Sequence, residues 1–235
     1  MNKKIKIIIL IILAVIIIGA IFYINDYYHA EKVATECING TENVNVSKID
    51  QGLLLDGPGN DTALIFYPGA KVEYTSYLPM LAKLSAKGVD CYLVEMPLNM
   101  AFFGKDSAND IIDDGNYTHY IMSGHSLGGA MAASYVNETN RSDGLVLFAS
   151  YATGEISKPV LSIYGSEDKV LNMKSYNESM DMYTGNFTEF VIDGGNHAQF
   201  GYYGNQSGDG SSTISAKTQQ KESVNEILDF IHHLP

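Results

Sequence analysis

Tyr117-Thr118-His119-Tyr120-Ile121-Met122-Ser123-Gly124-His125-Ser126-Leu127-Gly128-Gly129-Ala130-Met131-Ala132-Ala133 is the stretch on which the fold turns. Residues 117–122 have the β-branched and aromatic character of a strand, and 127–136 have the small and apolar character of a packed helix. Between them lies Gly124-His125-Ser126-Leu127-Gly128, a Gly-x-Ser-x-Gly pattern with a further Gly129. A serine in a sharp strand-to-helix turn needs small residues two places before and after it, because strand and helix must approach closely there. Its hydroxyl is then held clear of the backbone, near the positive end of the helix dipole.

Outward from this turn, strands and helices alternate. Short early strands are expected at 44–48 and 52–55, and a fully buried strand at 62–67. A helix over 73–87 is closed by Gly88, and a strand follows at 89–95. Further strands fall at 144–149, 159–164 and 187–192, with helices at 172–183 and 215–232. The pattern predicts an α/β fold: a mostly parallel central sheet with helices on both faces. In such sheets chemistry gathers in the loops at the carboxyl ends of the strands.

Those loops contain the partners that a serine nucleophile needs. A hydroxyl requires a base, and the base an orienting carboxylate. Among six histidines, His232 and His233 fall in the last helical turn, His29 borders the N-terminal apolar segment, and His119 lies in a strand. His125 adjoins the nucleophile but points elsewhere in the turn. His197, in Asp193-Gly194-Gly195-Asn196-His197 after the last strand, is the expected base. The expected acid is Asp168, in Tyr164-Gly165-Ser166-Glu167-Asp168-Lys169, with Glu167 and Asp193 as alternatives. Two backbone N–H groups should stabilise the oxyanion. Leu127 supplies one; Ala70, in Tyr67-Pro68-Gly69-Ala70-Lys71, supplies the other, with Gly69 as the alternative.

With these motifs the chain resembles the α/β-hydrolases, and more narrowly a group of small, membrane-anchored bacterial members sharing Gly-Gly-Asn-His-x-x-Phe-Gly, here residues 194–201. The order Ser126, Asp168, His197 is the order that family uses. The resemblance covers residues 27–235 and implies hydrolysis of a carboxylic ester or related acyl bond of a small-molecule substrate, without metal or cofactor. Tyr67 stands where many esterases and lipases have histidine, which argues against a lipase of the usual kind. Only 150–158 separate two strands where many members insert a cap, so no large cap domain is expected. Two loops, the apolar 97–110 and the Gly-, Tyr- and Ser-rich 200–213, are expected to form the substrate pocket through Phe102, Phe103 and Tyr202. Asp209, in a glycine-rich loop, is a weak candidate for calcium. Rival readings are a binding or adhesion domain on the same fold, and an amidase or peptidase acting on cell-wall material.

At the other end, Lys3, Lys4 and Lys6 precede residues 7–24, which carry no charge. That run is about the length of the ~20 residues that cross a bilayer. It is longer than a usual signal-peptide core, and bulky Ile18 precedes its best small-residue pair, Gly19-Ala20. An uncleaved anchor over 1–26 is therefore preferred to a signal peptide, with the hydrolase domain at 27–235. The lysines place the N-terminus in the cytoplasm and the body outside, a single-pass arrangement at the cell membrane. The net charge is -12, so the body without those lysines carries -15. Such a body disfavours nucleic acid as a partner. Cys37 and Cys91 are too few for a disulfide framework, and Cys91 reads as a core residue.

Overall fold

Six consecutive buried residues make strand β3 (Thr62–Tyr67), the hydrophobic run that the sequence marks as covered on both faces. The computed structural model describes residues 2–234. In chain order the elements are α1 (Lys3–Asn25), α2 (Lys32–Thr35), β1 (Asn45–Ile49), β2 (Gly52–Asp56), β3, α3 (Leu78–Ser85), β4 (Asp90–Val94) and α4 (Ala108–Asp114). There follow β5 (His119–His125), α5 (Leu127–Thr139), β6 (Gly144–Phe148), β7 (Val160–Gly165), α6 (Met173–Glu178), β8 (Phe187–Ile192) and α7 (Ala216–His232). Among the described residues the strands form one eight-stranded sheet in the order β1-β2-β4-β3-β5-β6-β7-β8. β1 and β2 run antiparallel, and β3 to β8 are parallel.

Alternate side chains of β3 serve two cores, as the two-residue period of a strand requires. Leu64 and Phe66 pack with Leu78, Leu81 and Leu84 of α3 and Val224 and Ile227 of α7. Ile65 and Tyr67 face the other layer, with Ala108 and Ile111 of α4 and Ala132, Ala133 and Val136 of α5. Helices thus cover both faces, and the central strands β3, β5 and β6 are buried or nearly so, while the edge strand β8 keeps Thr188, Glu189 and Val191 exposed.

The helix expected over 73–87 is shorter. A 3-10 turn, Tyr74–Tyr77, precedes α3, whose first turn contains Pro79. Proline lacks the N–H that an interior helical position must donate, so the α-helix begins around it. The α-helix ends at Ser85, and Gly88 follows with a φ of 97°, donating its N–H to Ser85 O (2.9 Å). The helix expected over 172–183 likewise divides into α6 and a 3-10 turn at Ser179–Met182. The segment 97–110 is not a plain loop. It folds into three short 3-10 turns and the start of α4. Tyr67 holds this segment: its hydroxyl donates to Lys105 O (2.5 Å) and accepts Ala108 N–H (3.1 Å). Cys91 is fully buried in β4, and neither it nor Cys37 is in a disulfide.

Helix α1 is long and apolar enough to cross a membrane, and none of its residues is buried against the body. The chain after it is fastened to the body at once. Tyr28 N–H donates to Lys71 O (2.7 Å), and Glu73 N–H donates to Tyr28 O (2.9 Å). The Lys71 ammonium meets the Asp26 carboxylate at 2.6 Å.

Because Phe66 is fully buried at the centre of the sheet, Phe66→Ala is expected to cost about 3–5 kcal/mol of stability. Denaturant unfolding of the full chain in detergent measures this.

Candidate active site

The turn after β5 has the strained geometry that the sequence demands. Ser126 has φ 53° and ψ -123°, outside the ordinary regions for a residue with a side chain. A Cβ added at Gly124 would lie 2.5 Å from Gly128 C, and one at Gly128 would overlap the carbonyl oxygens of Tyr67 and Pro68. The glycines are therefore required by the approach of β5, α5 and the loop after β3. The next strand supports the turn: Ser126 N–H donates to Phe148 O (2.9 Å), and Ser150 Oγ donates to Ser126 O (2.7 Å).

The expected acid and base meet. His197 Nδ1 lies 2.8 Å from Asp168 Oδ2, and both side chains are only 1% exposed. The other Asp168 oxygen accepts the N–H groups of Val170 and Leu171, each at 2.8 Å. The acid is thus fully engaged, and the orientation it imposes directs His197 Nε2 away from it. That Nε2 is buried and has no hydrogen-bond partner among the described residues. His197 and Ser126 line one cavity of about 290 Å³, with Leu127, Ala130, Tyr151 and Leu171 among its other walls. No hydrogen bond joins their side chains in this state; such pairs often tighten only when substrate binds. Of the alternative acids, Asp193 is exposed, and the Glu167 carboxylate accepts only from Ser166 Oγ (3.3 Å) among the described residues.

The two oxyanion candidates separate cleanly. Gly69 N–H is used, donating to Tyr77 Oη (3.1 Å). Lys71 N–H donates to Asn99 O (2.8 Å). Ala70 N–H, between them, has no acceptor among the described residues, and Leu127 N–H opens helix α5. Phe102, Phe103 and Tyr202 do not line the Ser126 cavity. The two phenylalanines border a separate apolar groove with the end of α1. Tyr202 is held elsewhere, where its N–H donates to Ser76 O (2.9 Å) and its carbonyl accepts Glu31 N–H (2.8 Å).

A profile described as the alpha/beta hydrolase family matches residues 63–221. The chain belongs to the alpha/beta hydrolase family. No curated protein matches this family member significantly. Among solved structures it is similar to a predicted CIB-like hydrolase from Thermoplasma acidophilum, with TM-score 0.62 and 15% identity, over 81% of this chain and 99% of the other. It is also similar to Est1E from Butyrivibrio proteoclasticus, with TM-score 0.57 and 14% identity, over 81% and 100% of the two chains. A ferulic acid esterase from Streptomyces cinnamoneus gives TM-score 0.60 and 17% identity, over 76% and 68%. At these identities the likeness is one of fold.

Four residues of this alpha/beta hydrolase shape the site without having been picked out for that role in the sequence. Asp209, weighed there for calcium, accepts backbone N–H groups instead. Its oxygens take those of Ala198 (2.9 Å), Gly210 (2.7 Å), His197 (3.3 Å) and Lys169 (3.4 Å). It therefore ties the acid loop to the base loop. Gln219, fully buried in α7, exchanges two hydrogen bonds with the backbone of Asn196, beside the base. Tyr77 Oη accepts from Gly69 N–H and also hydrogen-bonds His125 Nδ1 at 2.8 Å. The His125 ring in turn packs 4.5 Å from that of His197, centroid to centroid. His125, set aside in the sequence as pointing elsewhere in the turn, thus packs directly against His197. Burial above all, and then the adjacent His197, hold its pKa well below the ordinary histidine value.

Two outcomes follow from these contacts. Asp209→Ala removes a charged acceptor from several backbone donors and is expected to cost about 1.5–3 kcal/mol, read as a lower unfolding midpoint. For His125, the unfolded chain takes up a proton near the usual pKa of about 6.5, while the folded chain resists it. The contribution to stability is therefore complete above that pH and is lost as pH falls toward the depressed folded value. Unfolding midpoints measured from pH 7.5 to 5 should fall more steeply for the native chain than for His125→Gln.

Proposed function

We propose that the protein is a membrane-tethered serine hydrolase that cleaves a carboxylic ester or closely related acyl bond. The observation carrying this reading is the buried 2.8 Å contact between Asp168 and His197, at the cavity that also holds the strained Ser126. A binding domain has no use for an acid–base pair buried beside a strained serine, so catalysis accounts for the arrangement better than adhesion does.

The chemistry proceeds in two acyl-transfer steps. Ser126 Oγ attacks the substrate carbonyl while His197 Nε2 takes its proton. Asp168 holds the Nδ1–H tautomer and stabilises the imidazolium. The N–H groups of Leu127 and Ala70 receive the oxyanion, where one such donor is commonly worth roughly 10²–10³ in rate. His197 then protonates the leaving group, and water, activated by the same histidine, releases the acid and restores Ser126. Each step moves one proton between oxygen and His197 Nε2. The modest cavity and the small side chains of Ala130, Ala149 and Ser150 in its wall favour a compact group next to the reacting carbonyl. Helix α1 serves as a single-pass anchor, with the lysines on the cytoplasmic side and the catalytic body outside. Its length, its unbroken apolar surface and the flanking lysines support that reading.

A fluorophosphonate probe should label Ser126 of the full chain, located by mass spectrometry, with labelling lost in Ser126→Ala and His197→Ala. Ester turnover in Ser126→Ala should fall to the residual ~10³–10⁴-fold rate over water that an oxyanion hole alone sustains. Undiminished turnover in that variant would refute the assignment.

A further inference from the structure

The segment after β4 carries an apolar lip that the chemistry above does not use. Leu98, Phe102 and Phe103 are 51%, 48% and 55% exposed, a large apolar surface for a body otherwise rich in acids. They face the last turns of α1 across a groove of about 260 Å³, whose far wall is Ala20, Tyr23, Ile24 and Tyr27. Ala20 lies five residues before the end of the helix at Asn25, about 8 Å along its axis at 1.5 Å per residue. A lip that meets the helix at that depth cannot remain in bulk water if the helix spans a bilayer.

The lip is rigidly joined to the catalytic edge. Lys71, next to the oxyanion donor Ala70, donates its N–H to Asn99 O (2.8 Å), while its side chain lines the groove, lies 4.5 Å over the Tyr23 ring and pairs with Asp26. Leu98 and Asn99 both have positive φ, 56° and 53°, a strained pair in the turn that displays Leu98 outward. The loops after β3, β5, β7 and β8, with the site residues, lie on the same edge of the parallel sheet as this lip after β4.

We propose that Leu98, Phe102 and Phe103 form a second membrane contact, sunk beside the anchor at the boundary between headgroups and acyl chains, which turns the catalytic edge of the sheet toward the lipid surface. The inference rests on the anchor reading of α1. The occupant is the bilayer because the groove is continuous with the apolar surface of α1. A body of charge -15 gains nothing from anionic headgroups, so apolar contact must hold it down. Tyr23 and Tyr27 stand at the same level, where aromatic rings with a polar tip favour the interface.

The chain contains no tryptophan, so single tryptophans report position directly. Full-length Phe102→Trp and Phe103→Trp, reconstituted into phosphatidylcholine vesicles, are compared with vesicles of acyl-chain-brominated phosphatidylcholine. Ile12→Trp, in the middle of α1, reports the anchor. Asn60→Trp, exposed in the turn before β3 and so at the opposite end of the parallel sheet from the lip, reports water. The expected result is blue-shifted emission and strong quenching at 12, 102 and 103, with neither at 60. Quenching at 12 with water-like, unquenched emission at both 102 and 103 overturns the lip and leaves the anchor standing. An unquenched tryptophan at 12, or its loss by cleavage, sinks the anchor reading and this inference with it.

Discussion

The close approach of β5, α5 and the loop after β3 is the constraint on which the rest of the site depends. Gly124 and Gly128 leave room for backbone alone, and the carbonyl oxygens of Tyr67 and Pro68 fill the space where a Cβ would go. That contact forces the reversal at Ser126 and its positive φ. The same reversal brings Leu127 N–H to the start of a helix beside the loop that offers Ala70 N–H. A sheet buried on both faces is needed to hold such a turn, because only packing from two sides can resist its relaxation. Phe148 and Ser150, at the end of the next strand, complete that support with hydrogen bonds to both backbone groups of Ser126.

The base side of the site is built differently. Its loops contain glycines that let the backbones meet: a Cβ at Gly165 would overlap Gly195. Polar side chains then stitch those backbones together. Asp209 joins the loops of Asp168 and His197, and Gln219 grips Asn196 from α7. Beneath them, Tyr77 links the oxyanion loop to His125, and His125 supports the ring of His197. The Tyr77 hydroxyl and the Gln219 amide satisfy backbone groups of Gly69 and Asn196 that would otherwise be costly orphans. The two halves of the site are therefore mechanically connected, although their residues come from separate stretches of the chain.

Helix α1 joins the body beside the same loops. The chain leaves α1, pairs within three residues with Lys71 and Glu73, and so attaches next to Ala70. A flexible linker would leave the helix free of the body; this short, hydrogen-bonded connection fixes where the chain enters it. The catalytic edge and the apolar helix are thus parts of one arrangement.

The sequence by itself determined what local rules govern. The buried run 62–67, the strand–turn–helix around Ser126, and the positions of Asp168 and His197 after strands all agree with the structure because short-range sterics and periodicity dictate them. The effect of Pro79 on the start of α3 is equally local. Tertiary structure alone decided that Tyr67 would organise 97–110 into turns and α4, that Asp209 would take backbone donors, and that His125 would lie under His197. It also decided that Phe102 and Phe103 would face α1 instead of the Ser126 cavity. These contacts join residues tens of positions apart, and a side chain's partner across such a separation depends on how the whole sheet is ordered and twisted, which no spacing along the chain records.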